Sequence, residues 1–307
     1  MSLRAVRNGL RARFPRVFAL YKRRMRRHVM RGDAHYAIAR WVNDGLALRS
    51  RIGLADVSFD HDGVWFTDAR GLHWSFDPGI WGSTLGAATG SSHESAELDA
   101  VCRYLDNSSV VVDVGANIGA FALPVAKTTG ARIIAVEPVS STFALLNRNV
   151  QRNQASGSIS TIRSAVGATI GEVVLTTDAQ SANYVLAGQG VARINEERVP
   201  VTTLDELLRT ELRIDLIKVD VEGLELDVMR GAAGTLRKHA PAVLLEIEAR
   251  WTSRYGYAPV TLFTYMAEAG YGYKTITDAG PVPSTDLAAD INRGNNFLFT
   301  HHARTEG

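Results

Sequence analysis

From residue 110 onward, short and continuously apolar runs alternate with longer stretches whose apolar residues recur at helical spacing. The apolar runs lie at 110–115, 132–138, 216–220 and 242–248, and the pattern predicts helices at 119–129, 140–153, 204–211 and 223–238. Strands that are apolar throughout are typical of a parallel sheet that helices cover on both faces. The pattern therefore predicts a doubly wound α/β domain with a mostly parallel sheet.

Further elements are predicted between and after these runs. The segment "STIRSAVG" predicts another strand, and "GEVVLTTD" with "RVPVTTLDELL" predicts an inserted antiparallel excursion. Residues 178–193 carry few structural signals, so we expect a mobile loop there. The segment "NNFLFTHH" predicts a last, antiparallel strand at an edge of the sheet.

The part of the chain before the α/β core has a different pattern. Residues 34–49 favour a helix, and alternating apolar and polar residues over 57–76 predict a small β-hairpin or meander. The segment "GIWGSTLGAATGSSHES" predicts a loop because it is rich in Gly, Ser and Thr, and "ESAELDAVCRYL" predicts a helix after it. Trp65, Trp74 and Trp81 could stack on a sugar, although core packing of the hairpin is the favoured alternative.

Charge is distributed unevenly along the chain. The net charge of +2 conceals eleven Lys or Arg residues and no acid in residues 1–32, which leaves 23 basic residues against 32 acidic ones in the remainder. Apolar residues recur at helical spacing among these arginines, as on helices that lie on anionic lipid or RNA, although a solvated basic helix has the same pattern. The predicted organisation is a basic helical tail at 1–33, a helix and hairpin segment at 34–92, and the α/β domain at 93–301.

Composition narrows the class of protein. An apolar fraction of 46% predicts a globular protein with a sizeable core, and no apolar run is long enough to span a membrane. The single cysteine, Cys102, fits a reducing compartment. We therefore expect a cytoplasmic protein, with the basic tail as a candidate contact to the inner face of a membrane.

All four apolar runs end in an acid: Asp113, Glu137, Asp220 and Glu246. In open α/β sheets the carboxyl ends of the strands form the ligand-binding edge, where the strand order reverses. We therefore expect the four acids to lie at one site.

The most specific motif is "VVVDVGANIGAFAL", in which a strand, an acid, Gly115 and Gly119 occur in order. Glycine lets the backbone turn sharply and approach a ligand closely. Asn117 stands where a nicotinamide fingerprint would have glycine, and no P-loop lysine follows. Glu137 lies 22 residues after Gly115, where an acid can accept hydrogen bonds from both hydroxyls of a ribose.

Together these blocks resemble the FkbM-type methyltransferases. The similar segments are "VVDVGANIGAFAL", "AVEP", "SAVG", "VPVTTLDELL", "IDLIKVDVEGLELDVMRGA" and "AVLLEIE", in order from about Glu94 to Phe299. The resemblance implies a class I methyltransferase fold of the Rossmann-like type, S-adenosylmethionine as methyl donor and usually a hydroxyl oxygen as acceptor.

The resemblance also implies roles for individual residues. Asp113, Gly115, Asn117 and Gly119 would line the methionine moiety of the donor, Glu137 would hold the ribose, Ser164 and Ala165 would flank the adenine, and Asp220 would face the sulfonium and the acceptor. Glu94 matches an acid that the family commonly has before the first strand, and we group it with the cofactor-binding residues.

Methylation of an alcohol needs alignment of three atoms and a group that removes a proton. Asp220, Glu222 and Glu246 are the candidate catalytic carboxylates, with Asp220 preferred as the base. They could hold Mg²⁺ through oxygen ligands, but their spacing is not diagnostic and a metal is not favoured. Glu222 has a second interpretation, because an acid in the first turn of the predicted helix at 223–238 is stabilised by the helix dipole.

The acceptor and the partners remain open at this stage. We expect a small-molecule or glycan acceptor: a hydroxyl on a sugar, glycolipid or secondary metabolite. The alternative is a non-catalytic or nucleic-acid-directed protein that uses the fold as a scaffold and residues 4–31 as an RNA or membrane anchor. We do not expect specific nucleic-acid binding, because the remainder of the chain is acidic and lacks a basic stripe with interleaved aromatic residues. The sequence does not indicate the oligomeric state.

Overall fold

The structure is a computed structural model that describes residues 54–60, 63–77, 81–89, 94–176, 196–284 and 286–304. The predicted tail at 1–33, the predicted helix at 34–49 and the predicted loop at 178–193 lie outside these residues. The strands are β1 (Asp56–Asp60), β2 (Gly63–Thr67), β3 (His73–Ser75), β4 (Val110–Val114), β5 (Arg132–Val136), β6 (Ile159–Ile162), β7 (Ala165–Val166), β8 (Gly171–Thr176), β9 (Glu196–Thr202), β10 (Leu216–Val219), β11 (Ala242–Glu246), β12 (Tyr271–Thr277), β13 (Gly280–Pro283) and β14 (Asn296–His301).

The helices are α1 (Trp81–Thr89), α2 (Glu94–Cys102), α3 (Ala122–Thr129), α4 (Ser140–Arg152), α5 (Leu204–Leu207), α6 (Glu225–Arg230), α7 (Ala233–His239), α8 (Ala249–Thr252), α9 (Pro259–Glu268) and α10 (Leu287–Arg293). Two short 3₁₀ helices follow α8 and β14, at Ser253–Tyr255 and His302–Arg304. No helix among the described residues is long and apolar enough to cross a membrane.

The main sheet has eight strands in the order β13, β12, β14, β11, β10, β4, β5, β6. The five strands from β11 to β6 in this order are mutually parallel, and the core strands β4 and β10 are buried along their whole length. The predicted mostly parallel, doubly wound sheet is therefore confirmed. The strand order reverses between β4 and β10, so the ligand crevice expected of this architecture lies where these two strands end.

The antiparallel part of the sheet differs from the prediction. The edge strand β13 is antiparallel to β12, but the sequence pattern did not predict either strand. The strand predicted for the edge, β14, lies inside the sheet between β11 and β12. Its residues 296–299 are all buried, which is what an internal strand with both faces covered requires.

The predicted Gly, Ser and Thr-rich loop is also wrong, because its middle forms helix α1. Thr84, Ala87 and Ala88 are each at most 3% exposed, and the Thr84 hydroxyl donates a hydrogen bond of 3.0 Å to the carbonyl oxygen of Ser75. Small residues allow the helix to pack closely against the β1–β2–β3 sheet, and this tertiary packing outweighs the low helix propensity of the segment.

The single helix predicted at 223–238 is two helices, α6 and α7, separated at Gly231. A side chain at Gly231 would place its Cβ 2.1 Å from the carbonyl oxygen of Gly167, just after β7. Only glycine therefore fits at this position. The other helices follow the prediction more closely: α4 spans Ser140–Arg152, although α3 begins only at Ala122.

The chain divides into two compact units, residues 1–92 and residues 93–307. In the first unit β1, β2 and β3 form an antiparallel sheet, as the alternating pattern predicted. Trp65 and Trp74 are 2% and 0% exposed, which confirms core packing as their use, and the side chain of Trp81 lies outside the described residues. In the second unit the predicted excursion forms a small three-stranded sheet. Its central strand, β9, is parallel to β7 and antiparallel to β8.

Candidate active site

The turn after β4 lies directly against the end of β10. The backbone N–H groups of Gly115 and Ala116 both donate to the carbonyl oxygen of Val136, at 3.0 Å, and Gly115 has a φ of +78°. A Cβ on Gly115 would lie 1.9 Å from the carbonyl oxygen of Asp220. Glycine is therefore required here both for its backbone conformation and for the close approach of the two strand ends.

Asn117 sits at the centre of this turn with a φ of +51°, a conformation that asparagine tolerates better than most residues. Its backbone N–H donates to Oε2 of Glu137 at 3.0 Å. Its side-chain Oδ1 is buried and has no hydrogen-bond partner among the described residues. A buried acceptor without a donor is costly, so this atom is a candidate contact for a bound ligand.

Glu137 follows β5 and is only 6% exposed. Its two carboxylate oxygens accept backbone hydrogen bonds from Asn117 and Val139, both at 3.0 Å. Burial raises the pKa of Glu137 to about 7, against the opposing effect of these two hydrogen bonds, and the charges of Asp113 and Asp220 raise it further. The side chain is thus fixed beside the glycine turn and retains acceptor lone pairs for a ligand.

Ser164 and Ala165 lie beyond β6, at the same edge of the sheet as Glu137. The Ser164 hydroxyl is within donating distance of the carbonyl oxygens of Ala165 (2.8 Å) and Pro200 (3.1 Å). The hydroxyl is therefore directed at the backbone, and Ala165 is half-buried in β7. Any contact of this pair with an adenine would be made through backbone atoms and the small alanine side chain.

Asp220 follows β10, and its backbone N–H donates to the carbonyl oxygen of Val114 at 3.0 Å. Its side chain is 32% exposed, so it is accessible to a substrate. Strands β10 and β11 are parallel with Val219 opposite Leu245, which places Glu246 opposite Asp220. The Asn295 side-chain amide donates to Glu246 at 2.7 Å and to Glu248 at 3.1 Å. Burial first, and then the charge of Asp220, raises the pKa of Glu246 far above the usual carboxyl range.

Glu222 does not lie in the first turn of a helix, because α6 begins only at Glu225. Glu222 has a φ of +55°, and burial together with the charges of Asp220 and Glu248 raises its pKa to about 8. The helix-start interpretation of Glu222 is therefore wrong. Its position close to Asp220 keeps it a candidate for the acceptor side of the site.

The helix start is stabilised instead by Glu225, whose side chain is buried. Its Oε1 accepts from the backbone N–H groups of Gly223 (3.0 Å) and Val221 (3.4 Å). The Tyr257 hydroxyl donates to the Gly223 carbonyl at 2.8 Å and lies 3.3 Å from Oε2 of Glu225. These bonds fix the corner that carries Asp220 and Glu222.

Two residues of the site were not predicted from the sequence. Lys218 lies in the middle of buried β10 with its side chain 7% exposed, and its Nζ is 3.2 Å from Asp220 and 3.8 Å from Asp113. Asn295 links Glu246 and Glu248, as described above. A lysine inside the otherwise apolar run "LIKVD" was a signal that the sequence offered, whereas Asn295 has no signal apart from its place before a strand.

The structure thus brings the four strand-end acids to one edge, on the neighbouring strands β5, β4, β10 and β11. The side chain of Glu94 lies outside the described side chains, although α2 begins at this residue. Within the described ranges no group of three or more His, Cys, Asp or Glu side chains is arranged to hold a metal ion.

The strand order, the glycine turn after β4 and the acid after β5 define a class I methyltransferase fold. A family profile described as the methyltransferase FkbM domain matches residues 113–273, which is more than half of the chain. The chain therefore belongs to the FkbM methyltransferase family.

Two named methyltransferases are similar in sequence to part of this chain. Methyltransferase sdnD from Sordaria araneosa is 29% identical over 159 residues, covering 41% of this chain and 61% of that protein. Hexuronic acid methyltransferase AglP from Haloferax volcanii is 31% identical over 149 residues, covering 47% of this chain and 58% of that protein. The chain thus spans less than two thirds of the length of these curated relatives. The crystal structure of an FkbM methyltransferase from Methylobacillus flagellatus is 16% identical with a TM-score of 0.46, and the superposition covers 74% of this chain and 56% of that one.

Proposed function

We propose that this protein is an S-adenosylmethionine-dependent methyltransferase that methylates a hydroxyl group of a sugar, glycolipid or secondary metabolite. The observation that carries the proposal is the contact of the glycine turn with the end of β10, where Gly115 has no room for a Cβ against the Asp220 carbonyl. This contact supports a single crevice shared by the candidate cofactor residues and the candidate catalytic carboxylates. Membership of the FkbM family supports the same reaction class.

The residues of the crevice fit the donor. The buried Oδ1 of Asn117 can accept a hydrogen bond from the amino group of a methionine moiety, and Glu137 can accept from ribose hydroxyls beside the turn. The half-buried Ala165 and the backbone around Ser164 offer a surface without a charged side chain for an adenine. These residues would bind and orient the donor.

The carboxylates on the other side of the crevice favour methyl transfer to a hydroxyl group. S-adenosylmethionine supplies a methyl group on a positively charged sulfur, and nearby carboxylates stabilise that positive charge. The acceptor oxygen would bond to the methyl carbon as the carbon–sulfur bond breaks with its electron pair going to sulfur, and a base would take the hydroxyl proton. Asp220 is our candidate for that base because its side chain is 32% exposed and it directly follows β10, where the glycine turn meets the strand end.

A sugar acceptor is favoured by one of the comparisons. The relative named hexuronic acid methyltransferase shows that a protein with a similar sequence acts on an acidic sugar. The unequal charge distribution suggests a second feature of the substrate, since eleven basic residues in 1–32 would hold the enzyme at an anionic membrane surface. We therefore include glycolipids among the candidate acceptors.

The cofactor assignment can be tested by calorimetry with S-adenosylmethionine and S-adenosylhomocysteine. We expect both to bind the wild-type protein and Glu137→Ala to weaken the affinity at least tenfold, since two hydroxyl contacts are lost. Glu172→Ala is the matched control, because Glu172 is an exposed acid on β8. Absence of binding heat in the wild-type protein, or equal affinity of Glu137→Ala, would contradict the proposal.

The catalytic assignment can be tested with a methyl-labelled donor and a cell extract as the source of acceptors. We expect Asp220→Asn to lower label incorporation about 100-fold or more, because a general base typically contributes that much. Full incorporation by Asp220→Asn would remove Asp220 from the mechanism without affecting the fold assignment. Fractionation of the labelled product would then identify the acceptor class.

A further inference from the structure

Asp220 and Glu246 form a pair of carboxyl groups on adjoining parallel strands. Val219 lies opposite Leu245 in the sheet, so the next residues, Asp220 and Glu246, are direct neighbours at the end of β10 and β11. Two carboxylates this close repel each other, and such a pair retains one proton well above the ordinary carboxyl range. Which of the two oxygen pairs holds that proton decides which residue can act as a base.

The surroundings of the two carboxyl groups are unequal. The Nζ of Lys218 lies 3.2 Å from Oδ2 of Asp220, and Lys218 is itself 7% exposed, so this interaction is shielded from water. Glu246 is also half-buried, but its partner is neutral: Asn295 donates a hydrogen bond to Oε1 at 2.7 Å. Asp220 is 32% exposed towards the crevice. A fixed positive charge therefore favours the ionised form of Asp220 more directly than that of Glu246.

We propose that Lys218 is a positioning residue that keeps the single proton of this pair on Glu246 and leaves Asp220 ionised and aimed at the acceptor. The catalytic consequence rests on the proposed function, whereas the position of the proton does not. A protonated Glu246 would donate a hydrogen bond to Asp220 and hold its carboxylate in place. Asp220 would then be the one member of the pair that is free to take a proton from a substrate hydroxyl.

The other charged groups around the pair act in opposite directions. Asp113 on β4 lies 3.8 Å from Lys218, so the lysine is shared between the candidate cofactor side and the candidate acceptor side of the crevice. The charge of Asp220 raises the pKa of Glu137, Glu222 and Glu225, and the charge of Glu97 on α2 raises that of Glu246. Lys218 also lowers the pKa of Glu246, but burial and Asp220 raise it more strongly. The positive charge of Lys218 thus partly offsets the negative charge around Asp220, its nearest carboxylate.

The position of the proton can be measured without a substrate, by following the carboxyl carbon signals of ¹³C-labelled aspartate and glutamate through a pH titration. Asp220→Asn and Glu246→Gln assign the two signals. In the wild-type protein we expect Glu246 to stay protonated above pH 7. In Lys218→Met we expect the proton to be shared with Asp220, so that the Glu246 signal at pH 7 moves towards its ionised position. In Lys218→Arg we expect the wild-type signal.

Lys274→Met is the matched control, because Lys274 is an exposed lysine on β12. The proposal is overturned if Glu246 is the ionised member of the pair in the wild-type protein, or if its signal at pH 7 is the same in Lys218→Met. Should Lys218→Met fail to fold, Lys218→Gln takes its place. A Glu246 signal that moves in Lys218→Gln and not in Lys218→Arg supports the proposal, and an unmoved signal in Lys218→Gln contradicts it.

A second measurement separates this inference from the proposed function. In labelled methyl transfer, the acid limb of the kcat/KM profile should move to higher pH in Lys218→Met and return in Lys218→Arg. Asp220→Asn should lose about 100-fold and Glu246→Gln less than tenfold, because glutamine also donates a neutral hydrogen bond. Methyl transfer with an unmoved profile would overturn the role of Lys218 alone. The expected titrations without any cofactor binding would instead support the proton position and overturn the proposed function.

Discussion

At the scale of single residues, the site depends on positions where the backbone adopts a left-handed conformation. Gly115 and Gly119 have φ values of +78° and +92°, and Asn117 between them has +51°. Three such residues within one turn of five direct the backbone N–H of Asn117 to Glu137 and leave its side-chain oxygen buried in the turn. The turn therefore combines an unusual backbone with an acceptor that a ligand can satisfy.

Gly115→Ala tests the close approach of the turn to Asp220. The new methyl group would lie 1.9 Å from the Asp220 carbonyl oxygen, and the left-handed conformation alone costs a non-glycine residue about 1–2 kcal/mol. We expect the free energy of unfolding to fall by more than about 2 kcal/mol and the affinity for S-adenosylhomocysteine to fall at least tenfold. Urea unfolding and calorimetry measure the two quantities.

Gly171→Ala provides the matched control, since nothing lies within 4 Å of a Cβ at that position of β8. We expect it to change neither quantity by more than about 0.5 kcal/mol. A Gly115→Ala protein that is as stable as Gly171→Ala would show that the turn can move away from β10, contrary to the geometry described here.

The site residues were predictable from the sequence to different degrees. Asp113, Glu137, Asp220 and Glu246 could be placed at one edge because each ends an apolar run, and parallel strands end together. The helix-start interpretation of Glu222 was wrong because a helical pattern does not reveal where the first turn begins. Asn295 could not be found, since its contacts to Glu246 and Glu248 depend on β14 entering the sheet beside β11. That pairing is a property of the tertiary structure.

At the scale of elements, the corner between β10 and α6 connects stability to the candidate chemistry. A Cβ on Gly223, whose φ is +105°, would come within 2.7 Å of the backbone of Trp251. The buried carboxylate of Glu225 accepts hydrogen bonds from the backbone N–H groups of Gly223 and Val221 in this corner. The corner is therefore packed against α8 and held by hydrogen bonds to a buried acid. These contacts also fix the position of Asp220, which lies at the start of the corner.

Glu225→Gln tests the buried acid at this corner. Burial raises the pKa of Glu225 from 4.5 to about 7, so the folded protein binds this proton more tightly than the unfolded chain does. Its contribution to stability is present below pH 4.5 and is lost as the pH rises towards 7. Glutamine does not titrate. Relative to Glu225→Gln, we expect the wild-type protein to lose about 2–3 kcal/mol of unfolding free energy between pH 4.5 and pH 8.

Urea unfolding of both proteins at several pH values checks this result. Glu206→Gln is a suitable control, because Glu206 is an exposed acid in the short helix α5. A constant difference in stability between wild type and Glu225→Gln across this pH range would show that Glu225 titrates like a solvated carboxyl group.

The elements themselves were predictable where one local pattern dominates. The buried strands β4, β5, β10 and β11 are continuously apolar, and α4 has a clear helical period, so all were placed within about two residues. Helix α1 and strand β13 have no such pattern. Their sequences are rich in glycine, proline or small polar residues, and they gain their structure from packing and pairing with neighbours. Strand β12 contains Tyr, Thr and Ile, which favour strands, but it lacks the continuous apolar run that predicted the core strands.

At the scale of the whole molecule, the candidate cofactor and acceptor residues all lie in the second compact unit, residues 93–307. The strongest positive charge lies elsewhere, in residues 1–32, which contain eleven of the 34 Lys and Arg residues. The rest of the chain is acidic. We infer that the basic segment and the candidate active site have separate tasks, the first attracting an anionic surface and the second carrying out the methyl transfer.

Deletion of residues 1–33 tests this division of tasks. Each Lys or Arg near an anionic bilayer contributes about 1 kcal/mol, so eleven of them should produce strong and salt-sensitive binding. We expect the full chain to co-sediment with vesicles that contain phosphatidylglycerol, and to be released as salt rises from about 0.1 M to 1 M, because the screening length shortens from about 10 Å to 3 Å. The deleted protein should not co-sediment, yet should bind S-adenosylhomocysteine with unchanged affinity. Equal co-sedimentation of both proteins would rule out residues 1–33 as the anchor, and a loss of cofactor affinity would show that these residues also serve the active site.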